Sequence, residues 1–191
     1  MKTIIHVTPI KKARSDVFRA LTTQAGLSSW WSTDVTAESP ARVGSVVHFR
    51  FAGDFNPDMK IVALEEPSLV KWRCISGHDN WKDNELEFRL EEPGGATQLM
   101  FVQSYSRELD DVHYGIYNFN WGYYIESLRL YIEEGKGKPF DPNLHQAVMQ
   151  TPTMDVPPQT VVQVVEQGFM IHDRVLRPAR VVVSAPDKMT G

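Results

Sequence analysis

Six histidines and one cysteine are the side chains of this sequence best suited to holding a metal or moving a proton: His6, His48, His78, His113, His145, His172 and Cys74. A metal needs several such donors converging, which sequences signal by short fixed spacings. None of these histidines stands at a familiar ligand spacing from Cys, Asp, Glu or another His, so no metal is expected. The chain also lacks a Gly-rich phosphate loop, a nucleophile elbow and a two-cysteine motif, so no nucleotide or other cofactor is expected. Cys74 alternates with Trp72 and Val70 in an apolar pattern, the setting of a buried, inert thiol rather than a nucleophile. The stretch 76–85, SGHDNWKDNE, gathers His78, Asp79 and Asn80 beside Trp81. These could form the polar end of a pocket, but turn residues are what any hairpin needs, and the turn is the preferred reading.

Aromatic side chains offer a second kind of chemistry, contact with an apolar ligand. Tyr114, Tyr117, Asn118 and Trp121 carry polar tips on apolar bodies, which suits a pocket wall. The alternative is a core whose hydroxyls reach water. Trp30 or Trp31, Phe49, Phe51, Trp72, Phe88, Phe101, Tyr117 and Trp121 are the expected lining, being the aromatic members of the dry strand faces and of the first half of the covering helix.

These residues must be positioned by the elements around them. Asp110 to Gly135 reads as one long helix of roughly 35 Å at about 1.5 Å per residue, capped by Asp110 or Asp111 and ended by Gly135. Tyr117, Trp121, Tyr124, Ile125, Leu128 and Ile132 share its apolar face, with Glu126, Arg129 and Glu133 opposite and able to pair. Gly122, costly inside a helix, suggests close approach by another element. Residues 2–8 read as a strand closed by Pro9. Ser15 or Asp16 would cap a short helix through Leu21, and a second runs from Gln24 to Trp31. The adjacent tryptophans of that second helix are not expected to share one core: one should pack inward while the other lies at a rim or cavity mouth. From Val35 to Ser104 the period becomes two, giving strands at 45–51, 58–65, 69–75, 84–90 and 97–104. Each has a wet and a dry face, with His6 and His48 expected on the wet one. An antiparallel meander with one dry face needs a cover, which the long helix supplies.

The 191 residues carry a net charge of −4 and no Lys/Arg cluster, which argues against a nucleic-acid or anionic-membrane surface. No apolar run approaches the ~20 residues of a membrane span and no signal-peptide pattern opens the chain, so a cytoplasmic location is expected. A single cysteine fits a reducing compartment.

The order strand, two short helices, meander, long helix resembles the START-like (SRPBCC) superfamily, in the branch homologous to the activator of the 90 kDa heat-shock protein ATPase. The residues that carry the resemblance are LTTQAGLSSWW at 21–31, WRCISGHDNW at 72–81, ELEFRLEEPGGATQLMF at 85–101 and NFNWGYYIESLRLYIEEGKGKP at 118–139. It covers about residues 1–139. The resemblance implies an α+β helix-grip fold whose cavity, between sheet and long helix, takes a small hydrophobic ligand. In a minority of the superfamily that cavity is catalytic, so a cyclase- or hydrolase-type enzyme is the alternative to a binding protein.

Beyond Pro139 apolar alternation resumes at 161–165, 168–171 and 180–183, which reads as a second, all-β unit. DPNLHQAV at 141–148, PPQTVVQVVEQGF at 157–169 and HDRVLRPARVVVS at 172–184 resemble the C-terminal β-domain of GrpE, the nucleotide exchange factor of the chaperone DnaK. The expected domains are therefore 1–139 and 140–191. By themselves Arg174 and Arg177 read as solvated loop charge. The resemblance implies a DnaK-type partner, with Arg174, Arg177 and Val183 near the contact. Two departures stand out: nothing upstream resembles the paired helices that make the GrpE family dimeric, and Arg180 replaces a usual apolar residue.

Overall fold

Apolar residues at every second position, interrupted by Gly, Pro and Asn/Asp turns, build most of Met1–Arg129, the first of two units into which the chain divides. In this computed structural model the described residues are 2–32, 34–51, 55–135, 140–152, 158–166, 169–171 and 174–185. Seven strands, β1 (Thr3–Ile10), β2 (Asp34–Thr36), β3 (Val46–Arg50), β4 (Asp58–Glu65), β5 (Leu69–Ser76), β6 (Glu85–Glu91) and β7 (Thr97–Ser104), form one sheet in the order β1-β7-β6-β5-β4-β3-β2. All neighbours are antiparallel. Helices α1 (Arg14–Thr22) and α2 (Gln24–Trp30) follow β1, and α3 (Asp111–Glu134) follows β7. This is the expected α+β helix-grip architecture.

One sheet face is dry. Val47 and Phe49, Val70, Trp72 and Cys74, Leu86, Phe88 and Leu90, and Leu99 and Phe101 are buried, while their alternates are wet or half-buried. Burial of each large side chain is worth roughly 1.5–3 kcal/mol. Trp121 of α3 lies against this face, 4.2 Å from Phe101 between ring centroids, and its indole N–H donates to Gln103 Oε1 at 2.6 Å. Asp110 caps α3 as expected, its Oδ1 accepting from the amides of Val112 (3.0 Å) and His113 (2.9 Å). Gly135 ends it with φ of 84°. Arg129 pairs with Glu126 on the far side of the helix.

Several local expectations are corrected. Pro9 does not close β1 but lies inside it, opposite Gln98, because β1 is an edge strand whose outward side needs no amide donor. Neither Ser15 nor Asp16 caps α1, which begins at Arg14 behind Ala13 with no side-chain cap; Asp16 pairs with Arg19 instead. The cap the sequence reading missed is Thr23, whose side chain accepts from the Gly26 amide at 3.1 Å to start α2. Trp30 and Trp31 are both buried and their rings stack at 5.9 Å, so they do share one core, although Trp30 packs inward and Trp31 lies at the cavity as expected. His6 belongs to the helix-facing side of β1, on the same face as Ile4 and Ile10, whereas the apolar Ile5 and Val7 are exposed. A Cβ on Gly122 would meet His6 Cε1 at 3.5 Å, an ordinary contact. The tighter glycine is Gly26, where a Cβ would sit 2.6 Å from the Ala20 backbone and force α1 and α2 apart.

The second unit, Leu130–Gly191, is all-β beyond the end of α3. A three-stranded sheet, β8 (His145–Pro152), β12 (Ala179–Ala185) and β9 (Val161–Glu166), has β12 in the centre, parallel to β8 and antiparallel to β9. A hairpin pairs β10 (Phe169–Ile171) with β11 (Arg174–Arg177). Val161, Ala179, Val181 and Val183 form a small core joined by Phe140. β8 was not anticipated as a strand, its residues after His145 being exposed on an edge.

Candidate functional site

The pocket lies within the first unit and is made by residues from four places in the chain. Trp31 comes from the end of α2, Phe55 from the segment before β4, His78 and Trp81 from the β5–β6 connection, and Tyr117, Asn120, Trp121 and Tyr124 from α3. Its volume is about 310 Å³, at the lower end of the range for small-molecule sites.

The β5–β6 connection is held in shape by its own polar residues. Gly77 and Asp83 take left-handed backbone conformations at φ of 127° and 66°, and the Cys74 amide donates to Asn84 O while Asp83 N donates to Cys74 O. Asn84, buried, donates from Nδ2 to Asn80 O at 2.8 Å and accepts from Ser106 N at 2.9 Å. This fixes Asn80, whose Nδ2 donates to Tyr117 Oη at 3.3 Å and so ties the loop to α3. His78 Nδ1 accepts from Asn80 N at 3.2 Å, leaving Nε2 to carry the proton in the neutral ring. The loop is therefore both a turn and, through His78 and Trp81, part of the pocket wall.

Trp31 organises the apolar side. Its ring lies 4.2 Å from Phe49, 5.9 Å and nearly parallel to Trp72, and 5.2 Å from Trp121. Trp81 stands edge-on to both Phe55 (4.8 Å) and Tyr117 (5.9 Å). The polar tips of His78, Tyr117, Asn120 and Tyr124 come from lining residues that are exposed or half-buried. Burial raises the Tyr124 phenol above its usual value, so it keeps its proton near neutrality. Aromatic walls with hydrogen-bonding tips can hold a flat apolar molecule and orient one or two polar atoms on it.

Of the nine residues expected to line the cavity, Trp31, Tyr117 and Trp121 do so. Trp30, Phe49, Trp72, Phe88 and Phe101 are instead close-packed behind them: Trp72 meets Phe88 at 4.9 Å, Phe88 meets Phe101 at 5.0 Å, and Trp30 donates its indole N–H to Ala20 O. Phe51 is half-buried beside Trp31 and Phe55. Tyr124 was legible as a member of the helix stripe; Phe55 and Asn120 carried no signal, one in an irregular stretch and the other a polar residue between aromatics. Cys74 is buried and burial pushes its thiol up to about 11, as an inert cysteine requires. Among the described residues no cluster of three or more His, Cys, Asp or Glu is arranged to hold a metal, and no helix is long and apolar enough to cross a membrane.

In the second unit, Arg177 pairs with Glu166 at 2.5 Å, and Arg180 joins the same carboxylate at 3.2 Å. Arg180 is thus an exposed strand residue with a local partner. The Arg174 side chain lies outside the described residues, as does His172. Val183 is in the core of the unit at 3% exposure, so its side chain is not available at the surface.

Comparison with known proteins gives two matches along the chain. The family model described as Activator of Hsp90 ATPase homolog 1-like protein matches residues 11–133, and the GrpE model matches residues 124–185. The GrpE match begins inside α3, upstream of residue 140. The GrpE protein of Afipia carboxidovorans is 59% identical over 51 residues, covering 27% of this chain and 26% of that protein, so the chain spans about a quarter of the curated relative. The Aha1 dimer of Colwellia psychrerythraea, solved in solution, is similar over 71% of this chain and 99% of that one, with 32% identity and a TM-score of 0.63. A crystal structure of a Mesorhizobium loti protein shares the fold at 19% identity and a TM-score of 0.58, covering 67% of this chain and 94% of that one.

Proposed function

The chain belongs to the Activator of Hsp90 ATPase homolog 1-like family through residues 11–133, and from that premise we propose that it is a non-catalytic, chaperone-associated binding protein. In this reading the first unit takes a small apolar ligand in its pocket, and the GrpE-like segment docks on a DnaK-type chaperone. The observation that carries it is the joining, in one chain, of two segments that each match a chaperone-related family. A binding role is favoured over a cyclase or hydrolase by the lining, which is aromatic with His78 and Asn120 and includes no carboxylate, lysine or cysteine among the described residues. Self-association is part of the reading, because the Colwellia relative is described as a dimer.

Native mass spectrometry of the full chain tests the first limb, with a retained small molecule as the expected result. The apolar fluorophore anilinonaphthalene sulfonate serves as a probe: it should quench tryptophan fluorescence saturably, and Tyr117→Ala should weaken it several-fold. Absence of both a retained ligand and saturable quenching would remove the pocket from the account.

A further inference from the structure

The first half of α3 is apolar on the side that the fold does not cover. Val112, Ile116, Phe119 and Tyr123 are 71%, 50%, 77% and 63% exposed. Their spacing of four, three and four residues places them on one face at 3.6 residues per turn, opposite the buried Trp121 and Ile125. A helix apolar on both sides is ordinarily buried. Between Asp111 and Glu126 there is moreover no Asp, Glu, Lys or Arg at all, although exposed helix faces are where charged residues normally concentrate. Loss of charge with enrichment in aromatic residues is the composition of an interface centre.

Resting on the self-association reading above, we propose that this stripe is the surface on which a second copy of the chain packs, α3 antiparallel to α3 about a two-fold axis near residues 117 and 118. The spacing four, three, four reads the same in both directions. In an antiparallel pair Val112 therefore faces Tyr123 of the second copy and Ile116 faces its Phe119, so that every apolar residue meets an apolar residue. The same symmetry sets Gly115 against Asn120, and a Cβ at Gly115 would find no atom within 4 Å, which leaves room for another backbone to approach. The missing charges favour a copy of the chain over a different protein. At the two-fold axis itself, between residues 117 and 118, a charge would face its own copy, whereas a different partner could make use of complementary ones. Two aromatic residues per copy, each of a kind that buries roughly 150–250 Å², contribute roughly 600–1,000 Å² in all, below the about 1,200 Å² at which stable complexes begin. The dimer is therefore expected to dissociate on dilution.

Light scattering coupled to size exclusion, run on the full chain from low to high micromolar concentration, tests the assignment. Wild-type protein should shift from monomer to dimer. Phe119→Glu, at a 77% exposed position, should weaken the dimer at least tenfold with an unchanged circular dichroism spectrum, and Ile5→Glu on the outer face of edge strand β1 should leave it intact. Tyr123→Ser supplies a milder second variant with an effect in the same direction. A wild-type dimer that survives both α3 substitutions overturns the surface while leaving self-association standing; a wild-type monomer throughout the range overturns both.

Discussion

Replacing Trp121 by alanine should be the most damaging single truncation in the first unit. The side chain is 1% exposed, contacts Phe101 at 4.2 Å and Trp31 at 5.2 Å, and donates to Gln103 Oε1 at 2.6 Å. Loss of a buried Trp costs about 3–5 kcal/mol, because transfer free energy and an unfilled cavity add. The hydrogen bond contributes roughly 1 kcal/mol of that, since the Gln103 oxygen would still accept from Tyr105 Oη at 3.0 Å. Trp121→Phe should therefore cost distinctly less than Trp121→Ala. Urea unfolding followed by tryptophan fluorescence reports on this unit alone, as Trp30, Trp31, Trp72, Trp81 and Trp121 all precede Leu130. With a slope of about 1–3 kcal/mol per molar urea, the alanine variant should unfold on the order of 2 M earlier. A shift below about 0.5 M at unchanged slope would refute the packing argument.

Two further outcomes follow from the electrostatics. Cys74, buried and with its thiol pushed up to about 11 by burial, should resist a maleimide in the native protein and react once urea unfolds it; rapid native labelling would contradict its placement. Asp58 is partly desolvated by burial, which alone would raise it, but hydrogen bonds from Ser76, His48 and Arg50 outweigh this and hold it below the usual carboxylate value. A lowered folded value stabilises the fold above the unfolded value and is lost as pH falls through it. The stability gap between wild type and Asp58→Asn should accordingly shrink between about pH 6 and pH 3, and a gap constant over that range would rule out this linkage.

The long helix and the meander were legible because each rests on periodicity that packing does not override: Asp110 and Gly135 bracket α3, and Phe88 and Phe101 alternate as core residues must. The pocket was legible only in part. Aromatic type alone does not separate Trp31 and Trp121, which line the pocket, from Trp72 and Phe88, which fill the core behind them; that distinction depends on how the β5–β6 connection folds over α3 through Asn80 and Asn84. His6 was misplaced because an edge strand can turn a polar residue inward where cover is partial and leave Ile5 and Val7 outside. The stripe of Val112, Ile116, Phe119 and Tyr123 was not legible from the pattern that defines the buried face of α3, because the opposite face of such a helix is ordinarily solvent-facing. In the second unit, β8 was missed because an exposed edge strand has no dry face to alternate with.

The central claim is that the GrpE-like segment works as a docking module on a pocket-bearing domain. Isothermal titration of the full chain into the nucleotide-binding domain of a DnaK-type chaperone, with ADP release followed alongside, tests it most directly. Binding is expected to be modest, because the match covers 26% of the GrpE relative and binding through a single site forgoes linked contacts worth a factor of roughly 100 or more. Arg177→Glu should weaken it by setting a carboxylate against the partner's acidic groups. Saturable binding that this substitution weakens is the predicted result; no heat of binding at high micromolar concentration would contradict the account.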